Sequence, residues 1–394
     1  MRKTFLSISL LLTTFLMSWS SDFDRAVNIL VNNNLEGKVA AERGRGEIES
    51  MKAENTLEGP EAEFSRVWGT NSEVGNKMAF SISQGFDWPG LYAARKRAVK
   101  TAESALEFLR ASTMLETRRD ARTLLIDYIH NAQLLKVQSR YAARLDSMEA
   151  YYRKAAEEGL ETRLDYNKTV IERIGVHRDL HQLERDRDAL LVRIRAFNGG
   201  ESPQEVIRLV GDSYPTVDRE KVLAAISGIE ERDPGYAAAR LQAESARQRV
   251  KVEKLSGLPG FSVGFEHETE LGGGFNGFSV GIKLPTWSRR HSKRAAVIEA
   301  ELAEKDAEIV LRGRKADFDS DLVQLDYYEQ AISEYAAVVE DPSLSELLRK
   351  ALIARQITLL NYMDEENYFN QARKEYIDLL YEYHQTLSRL MYYE

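Results

Sequence analysis

His177 and His181 stand four residues apart, with Glu184 three further on, a spacing that puts two imidazoles and a carboxylate on one helix face, as a metal site requires. Arg178 and Arg185 flank that face, and a solvated, charge-paired surface explains the set without a metal. The run Gly272, Gly273, Gly274 lacks the lysine and hydroxyl residue that follow the glycines of a phosphate-binding loop, so it reads as a flexible external loop. Carboxylates are abundant, 62 in all, but charged residues on helical patterns are ordinarily solvated flanks. No catalytic pair is expected among them, no cofactor or metal is expected, and the chain does not read as an enzyme. The 18 tyrosines crowd toward the end, at Tyr376, Tyr381, Tyr383, Tyr392 and Tyr393. Core packing at helical spacing accounts for most, with rings near a membrane boundary a role for the last two.

The elements that carry these groups belong to a folded protein: 394 residues, 43% hydrophobic and 29% charged. Residues 1–20 have the form of an export signal, with Met1, Arg2 and Lys3 before an apolar run over residues 5–17, then the small residues Ser18, Ser20 and Ser21. That run is too short for a membrane-spanning helix, and no stretch of about 20 apolar residues follows it. No cysteine occurs, which excludes disulfides and a thiol-linked lipid anchor. The formal net charge of -8 becomes -10 when Arg2 and Lys3 leave with the signal, the wrong sign for a nucleic-acid partner.

The chain repeats itself at a shift of 196. Gly85, Pro89, Arg153, Lys154, Ala155, Thr162, Leu164 and Tyr166 fall on Gly281, Pro285, Arg349, Lys350, Ala351, Thr358, Leu360 and Tyr362. Each half combines two periods. Over residues 78–88 the period is two: Met78, Phe80, Ile82, Phe86 and Trp88 share one face, and Ala79, Ser81, Ser83, Gly85 and Asp87 the other. Phe278, Val280, Ile282 and Leu284 alternate likewise in the second half, preceded by Phe261, Val263 and Phe265, and residues 61–70 form a weaker strand. Two hairpins are expected, turning through residues 71–76 and 271–277. Such alternation fits a sandwich edge as well as a transmembrane strand with lipid on one side and a lumen on the other. Four strands cannot close a barrel, so in a membrane the others must come from further copies.

Residues 92–158 contain no proline or glycine, and Ala121, Leu124, Tyr128, Ala132, Leu135, Ala142, Leu145, Met148 and Tyr152 recur at helical steps. At about 1.5 Å per residue that helix runs about 100 Å, far beyond a compact domain. A turn near Gly159 sends the chain back over 162–197. The second half is expected to repeat this with a long helix over 289–340 and a return helix over 344–391.

Coiled-coil hairpins grown from β-hairpins, twice in one exported chain, resemble the TolC-like outer-membrane efflux proteins over essentially the whole mature chain. The first tip, Gly159, Leu160, Glu161, Thr162, Arg163, Leu164 and Asp165, resembles the family's glycine-leucine turn followed by an aspartate. Ile357, Thr358, Leu359, Leu360, Asn361, Tyr362, Met363 and Asp364, leading to Tyr368 and Phe369, resemble its return helix at the periplasmic entrance. Leu284, Pro285, Thr286, Trp287, Ser288, Arg289 and Arg290 resemble its strand-to-helix junction. The family pair of entrance acids is kept only in part, as Asn361 and Asp364 with Glu365 and Glu366 following. The arginine that ties the family's tip closed would fall on Ile357, with Arg355 two residues earlier.

The resemblance implies a mixed α and β membrane protein: a homotrimer whose four strands per chain make a twelve-stranded β-barrel, continued by a long periplasmic α-helical barrel of coiled-coil hairpins. The implied organisation is a signal at 1–20, a first repeat at 21–197 (hairpin 61–88, helices 92–158 and 162–197) and a second at 198–394. The second opens with an equatorial segment at 198–231, then a helix at 232–256 and a hairpin at 258–287. The implied function is a passive outer-membrane channel-tunnel of a tripartite efflux system, working with a periplasmic adaptor, an inner-membrane transporter and outer-membrane lipid. Asp364, Asn361, Glu365, Glu366 and Asp165 are the expected pore-entrance residues. Gly159, Leu160, Thr162, Gln356, Thr358 and Leu359 are the expected adaptor-docking residues. Family likeness points to the heavy-metal branch, with drugs and peptides open as cargo. The competing class is a structural periplasmic or surface coiled-coil protein without transport, which leaves the alternating hairpins unexplained.

Overall fold

The computed structural model describes residues 22–70, 75–270, 272–284, 289–339 and 343–393. The export-signal segment, and residues 285–288 of the strand-to-helix junction, lie outside them. Four strands, β1 (Glu61–Trp68), β2 (Asn76–Phe86), β3 (Gly260–Glu270) and β4 (Gly273–Lys283), form one antiparallel sheet in the order β1-β2-β3-β4. The central pairing, β2 with β3, joins the two halves of the chain, with Phe86 opposite Phe261 and Lys77 opposite Glu270.

The expected turn and external loop over 271–277 change here. The stretch 271–277 is not an external loop: β4 begins at Gly273, and Gly273 and Gly274 pair with Glu270 and Thr269. Gly272 sits in the tight turn with φ +80°, a conformation that costs glycine little. Gly274 and Gly277 instead keep strand pairing because the ladder partners on β3 hold them.

A single helix, α3 (Pro89–Glu157), leaves β2 and runs 69 residues to the first tip, which at about 1.5 Å per residue is about 100 Å. Pro89 stands at its first position, where a missing N–H costs nothing. The other helices lie along it in two tiers. Near the sheet, α2 (Leu35–Ala53) and α8 (Pro234–Leu255) pack on α3, and α8 also on α9 (Arg289–Val339). Toward the tips, α4 (Arg163–Phe197) packs on α3, and α11 (Leu359–Leu390) on both α9 and α3. In this wall α4 and α9 are therefore the outer members, and both expose apolar side chains, among them Ile171, Ile174 and Val192 on α4 and Ile309 and Val323 on α9.

The second half departs from the expected 344–391 helix. A short α10 (Ser343–Ile353) continues toward the tip, residues 354–358 make the reversal, and only then does α11 begin. Positive φ at Arg355 (52°) breaks the helix there, although no glycine marks the place.

Midway along α3 the helices α1 (Asp22–Asn33) and α5 (Gln204–Val210) close a core of Phe23, Val27, Leu30, Leu125, Ile129, Ile194, Val206 and Val210. On the other side α6 (Arg219–Ile226) and α7 (Ile229–Arg232) place Val222 and Ile229 against Phe318, Leu325, Leu387, Leu390 and Tyr392. Tyr392 is thus buried at mid-length rather than at a membrane boundary, with the Arg314 guanidinium 4.2 Å from its ring centroid and its hydroxyl 3.2 Å from that of Ser112. The side chain of Tyr393 lies outside the described residues.

One seam of α3 repeats every seven residues through Leu124, Asn131, Gln138, Leu145 and Tyr152, all buried. The two amides donate across the hairpin, Asn131 Nδ2 to the Leu183 carbonyl at 3.1 Å and Gln138 Nε2 to the Val176 carbonyl at 3.0 Å. Any slip of α4 along α3 would leave these donors buried and unpaired, so they fix the register.

Candidate functional site

The two tips are built alike. At the first, Leu160 N–H donates to the Ala155 carbonyl at 2.8 Å and Gly159 N–H to Ala156 at 3.3 Å. Gly159 has φ +73°, and the Thr162 hydroxyl accepts the Asp165 N–H at 3.1 Å to cap α4. At the second, Gln356 N–H donates to Ala351 at 2.9 Å, Arg355 N–H to Leu352 at 3.0 Å, and the Thr358 hydroxyl accepts the Asn361 N–H at 3.2 Å to cap α11. Both are helix ends closed by a left-handed residue, followed by a threonine N-cap. Tyr152, Leu359, Tyr362 and Met363 pack the tips together into one apolar cluster, edged by Met148, Tyr166 and Ile357.

This packing sorts the expected docking residues. Gly159, Thr162, Gln356 and Thr358 lie in the turns and caps, and Leu160 is 68% exposed. Leu359 is not available for docking: it is 7% exposed, because the first residue of α11 faces the hairpin interior, and the neighbouring Leu360 points outward instead, as does Leu164.

The expected entrance residues are sorted in the same way. Asn361, Asp364, Glu365 and Tyr368 lie on one exposed face of α11 at the i, i+3, i+4, i+7 spacing. Glu366 does not belong to it. It is 2% exposed, ion-paired to Arg144 Nη2 at 3.3 Å and accepting a 3.4 Å hydrogen bond from the Tyr362 hydroxyl. Burial, and next the Glu366 carboxylate, push the Tyr362 hydroxyl up to about 12. Asp165 is half-buried and its carboxylate accepts the Thr162 hydroxyl, so at the first tip it closes its own cap.

The histidines pair with carboxylates. His177 Nε2 is 2.9 Å from Asp146 of α3, and His181 Nδ1 is 2.9 Å from Glu184. Among the described residues no group of three or more His, Asp or Glu could hold a metal ion. At mid-length His384 of α11 stacks on Tyr214, ring centroids 4.3 Å apart and planes 11° from parallel. Burial lowers the His384 imidazole to about 4.

At the other end of the molecule the sheet has two unlike faces. The register sets Ala62, Ile82, Phe265 and Phe278 in one row, Gln84, Val263 and Val280 in the next, and Phe86, Phe261 and Ile282 beyond. This face is open, with Phe278 90% exposed. The opposite face carries Glu63, Ser81 and Glu266 in one row and Glu61, Ser83, Gly264 and Ser279 in another. Small residues are required there: a Cβ on Gly281 would come within 2.4 Å of the Ser262 hydroxyl, and one on Gly264 within 2.7 Å of that of Ser279. The polar face is the crowded side toward which the sheet can curl. No helix among the described residues is long and apolar enough to cross a membrane.

This combination, a four-stranded sheet continued by helical hairpins of great length, is the protomer fold of the outer-membrane channel proteins. Over 94% of its length the chain superimposes on 85% of the Campylobacter jejuni CmeC outer membrane channel, with TM-score 0.78 and 12% identity. It is similarly like the outer membrane protein VceC of Vibrio cholerae (TM-score 0.75, 12% identity, 94% of this chain and 95% of that one) and CusC (TM-score 0.74, 12% identity, 95% and 94%). No protein-family model and no curated protein sequence matches the chain.

Proposed function

We propose that this chain is one protomer of a homotrimeric outer-membrane channel-tunnel, a passive conduit for solutes delivered by an inner-membrane transporter through a periplasmic adaptor. One observation carries the reading: a sheet with a continuous, exposed apolar face and two unpaired edge strands, β1 and β4. In water such a face and such edges invite aggregation. In lipid the face is satisfied, and the edges are satisfied once further copies continue the ladder, since an open edge in hydrocarbon leaves backbone groups unpaired. The resemblance sets the number at three, giving a twelve-stranded barrel. The helical wall supports the same assembly, because its outer members α4 and α9 expose the apolar side chains Ile171, Ile174, Val192, Ile309 and Val323, which further copies could cover.

The halves 21–197 and 198–394 act as two copies of one plan, and the matching turns at 159 and 355 support that division. In the trimer Asn361, Asp364 and Glu365 face the periplasmic entrance, and Leu160, Leu164 and Leu360 meet the adaptor. A purely structural coiled-coil protein would leave the apolar sheet face without purpose. Fractionation, cross-linking and sizing in detergent test the reading: the mature chain is expected in outer membranes as a trimer. A stable water-soluble monomer would overturn it.

A further inference from the structure

Resting on the reading that the apolar sheet face meets lipid, we infer that the turn end of this face binds the phosphate group of an anionic outer-leaflet glycolipid through Arg66. Along β1, Arg66 alternates with Glu63, Ser65 and Val67 and so lies on the apolar face with Ala62 and Phe64; the register places it opposite Met78, which pairs with Thr269. It is the single formal charge on that face among the described residues. Every carboxylate of the four strands, with Lys77 and Lys283, stands on the opposite face.

Depth decides what a lone cation can do there. Eight residues separate the Met78 row from the Phe86 row at the helix end, about 27 Å along the strand at roughly 3.4 Å per residue. With a strand tilt of about 40° this corresponds to roughly 20 Å of membrane height, against an apolar band of about 25 Å. The Arg66 row therefore lies about 5 Å inside the outer boundary of that band, a distance that the extended arginine side chain spans to reach the headgroup phosphates. Its guanidinium is turned toward the last aromatic residue of the strand, 5.7 Å from the Trp68 ring centroid, and both side chains are exposed. Trp68 marks this boundary, as Phe86, Trp88 and Phe261 mark the other, in the way amphipathic rings do in barrels.

In the row just inside, His267 Nδ1 and Asn276 Oδ1 are 2.8 Å apart and satisfy each other. Arg66 makes no ion pair with any described residue. A planar guanidinium offering paired N–H donors at this depth matches a phosphate oxygen pair, and an indole beside it shields the contact from water.

Native mass spectrometry of the detergent-solubilised trimer with bisphosphorylated lipid A, and with the same lipid dephosphorylated, tests this. The wild type is expected to retain the phosphorylated lipid and to bind it roughly tenfold more tightly than Arg66→Gln, the equilibrium effect of one charge-assisted hydrogen bond. Arg66→Lys should fall between, and Lys77→Gln, on the opposite face, should bind as the wild type does. Equal retention by Arg66→Gln, or no preference of the wild type for the phosphorylated lipid, would overturn the inference. So would a lipid-free Arg66→Gln trimer that falls apart, since Arg66 would then be holding a neighbouring copy. A wild-type chain that is soluble without detergent would overturn the duct reading itself and this inference with it.

Discussion

Gly159 and Arg355 occupy the same place in two equivalent turns, each in the left-handed region at φ +73° and 52°, and each three residues before the threonine that caps the returning helix. Only one of them is a glycine, so the second turn holds a side chain in a conformation costing about 1 kcal/mol. Arg355→Gly is expected to leave the structure intact and to match or exceed wild-type stability by up to about 1 kcal/mol. Gly159→Val should lower it by about 1–2 kcal/mol for conformational reasons alone, since a Cβ at Gly159 meets nothing within 4 Å. Thermal unfolding reads both, and a destabilised Arg355→Gly would refute the equivalence.

The two sheet faces should answer differently to charge. Phe80 and Val280 stand on the apolar face, whereas Ser81 lies between Glu63 and Glu266 and Ser279 opposite Gly264. Phe80 and Val280 lie one row to either side of the middle row of Ile82, Phe265 and Phe278, so arginine at either should impair membrane assembly by roughly 1–2 kcal/mol, between the interfacial and midplane costs. At Ser81 the two carboxylates should make arginine tolerable. Heat-stability of trimers on gels separates the cases, and equal damage at 80 and 81 would mean that the lipid side is misassigned.

At the tips, Leu160→Asp should abolish efflux while the trimer persists, because Leu160 is exposed and supports no core. Leu359→Asp should act otherwise, losing on the order of 2–5 kcal/mol from the tip cluster through lost packing and a buried carboxyl. Paired measurements of drug or metal susceptibility and trimer melting distinguish a docking defect from a folding defect. Full efflux by Leu160→Asp would move the docking site elsewhere.

Asp364 and Glu365 share the exposed face of α11, and three copies around an entrance would concentrate cations. Asp364→Asn should weaken both cation preference and block by multivalent cations from the periplasmic side, most visibly at low ionic strength. Glu366→Gln should change neither, since Glu366 is buried against Arg144. Single-channel conductance in planar bilayers gives the answer; an unchanged asparagine variant would remove Asp364 from the gate.

The half-buried His384 sets a pH dependence. Its folded value of about 4 lies below the ordinary 6.5, so between these limits the unfolded chain binds a proton that the folded one refuses. Stability is full above pH 6.5 and falls as the pH drops toward 4, by on the order of 3 kcal/mol. Asp24, Arg122, Asp218 and Lys221 line the same cleft and are present in wild type and variant alike. The difference between wild type and His384→Phe should therefore isolate the imidazole. Parallel pH profiles for the two proteins would show that His384 is not the responsible group.

The sheet faces and the length of α3 were legible because each rests on a period sustained over many residues, as in Met78, Phe80 and Ile82. Single-residue choices were not. Leu359 and Leu360 are adjacent in the first turn of a helix, and only the packing against Tyr152 decides which turns inward. Glu366 reads as an entrance acid beside Asp364 and Glu365 until Arg144 is placed against it. Asn131 and Gln138 interrupt the apolar pattern, though the seven-residue step from Leu124 through Leu145 to Tyr152 already passes through both. The second reversal was misplaced because its left-handed residue is Arg355, which carries no turn signal.

The central ladder has a consequence for how the molecule is made. β2 and β3 meet across roughly 175 residues of intervening chain, and closing a loop of that size carries an entropic cost that nearer contacts do not. The first hairpin must therefore wait, with its apolar face bare and its β2 edge unpaired, until the second half has been synthesised and delivered. During that interval it is the most aggregation-prone part of the nascent molecule. Phe80 and Ile82, both on the open face of that hairpin, are then free to meet another unpaired strand.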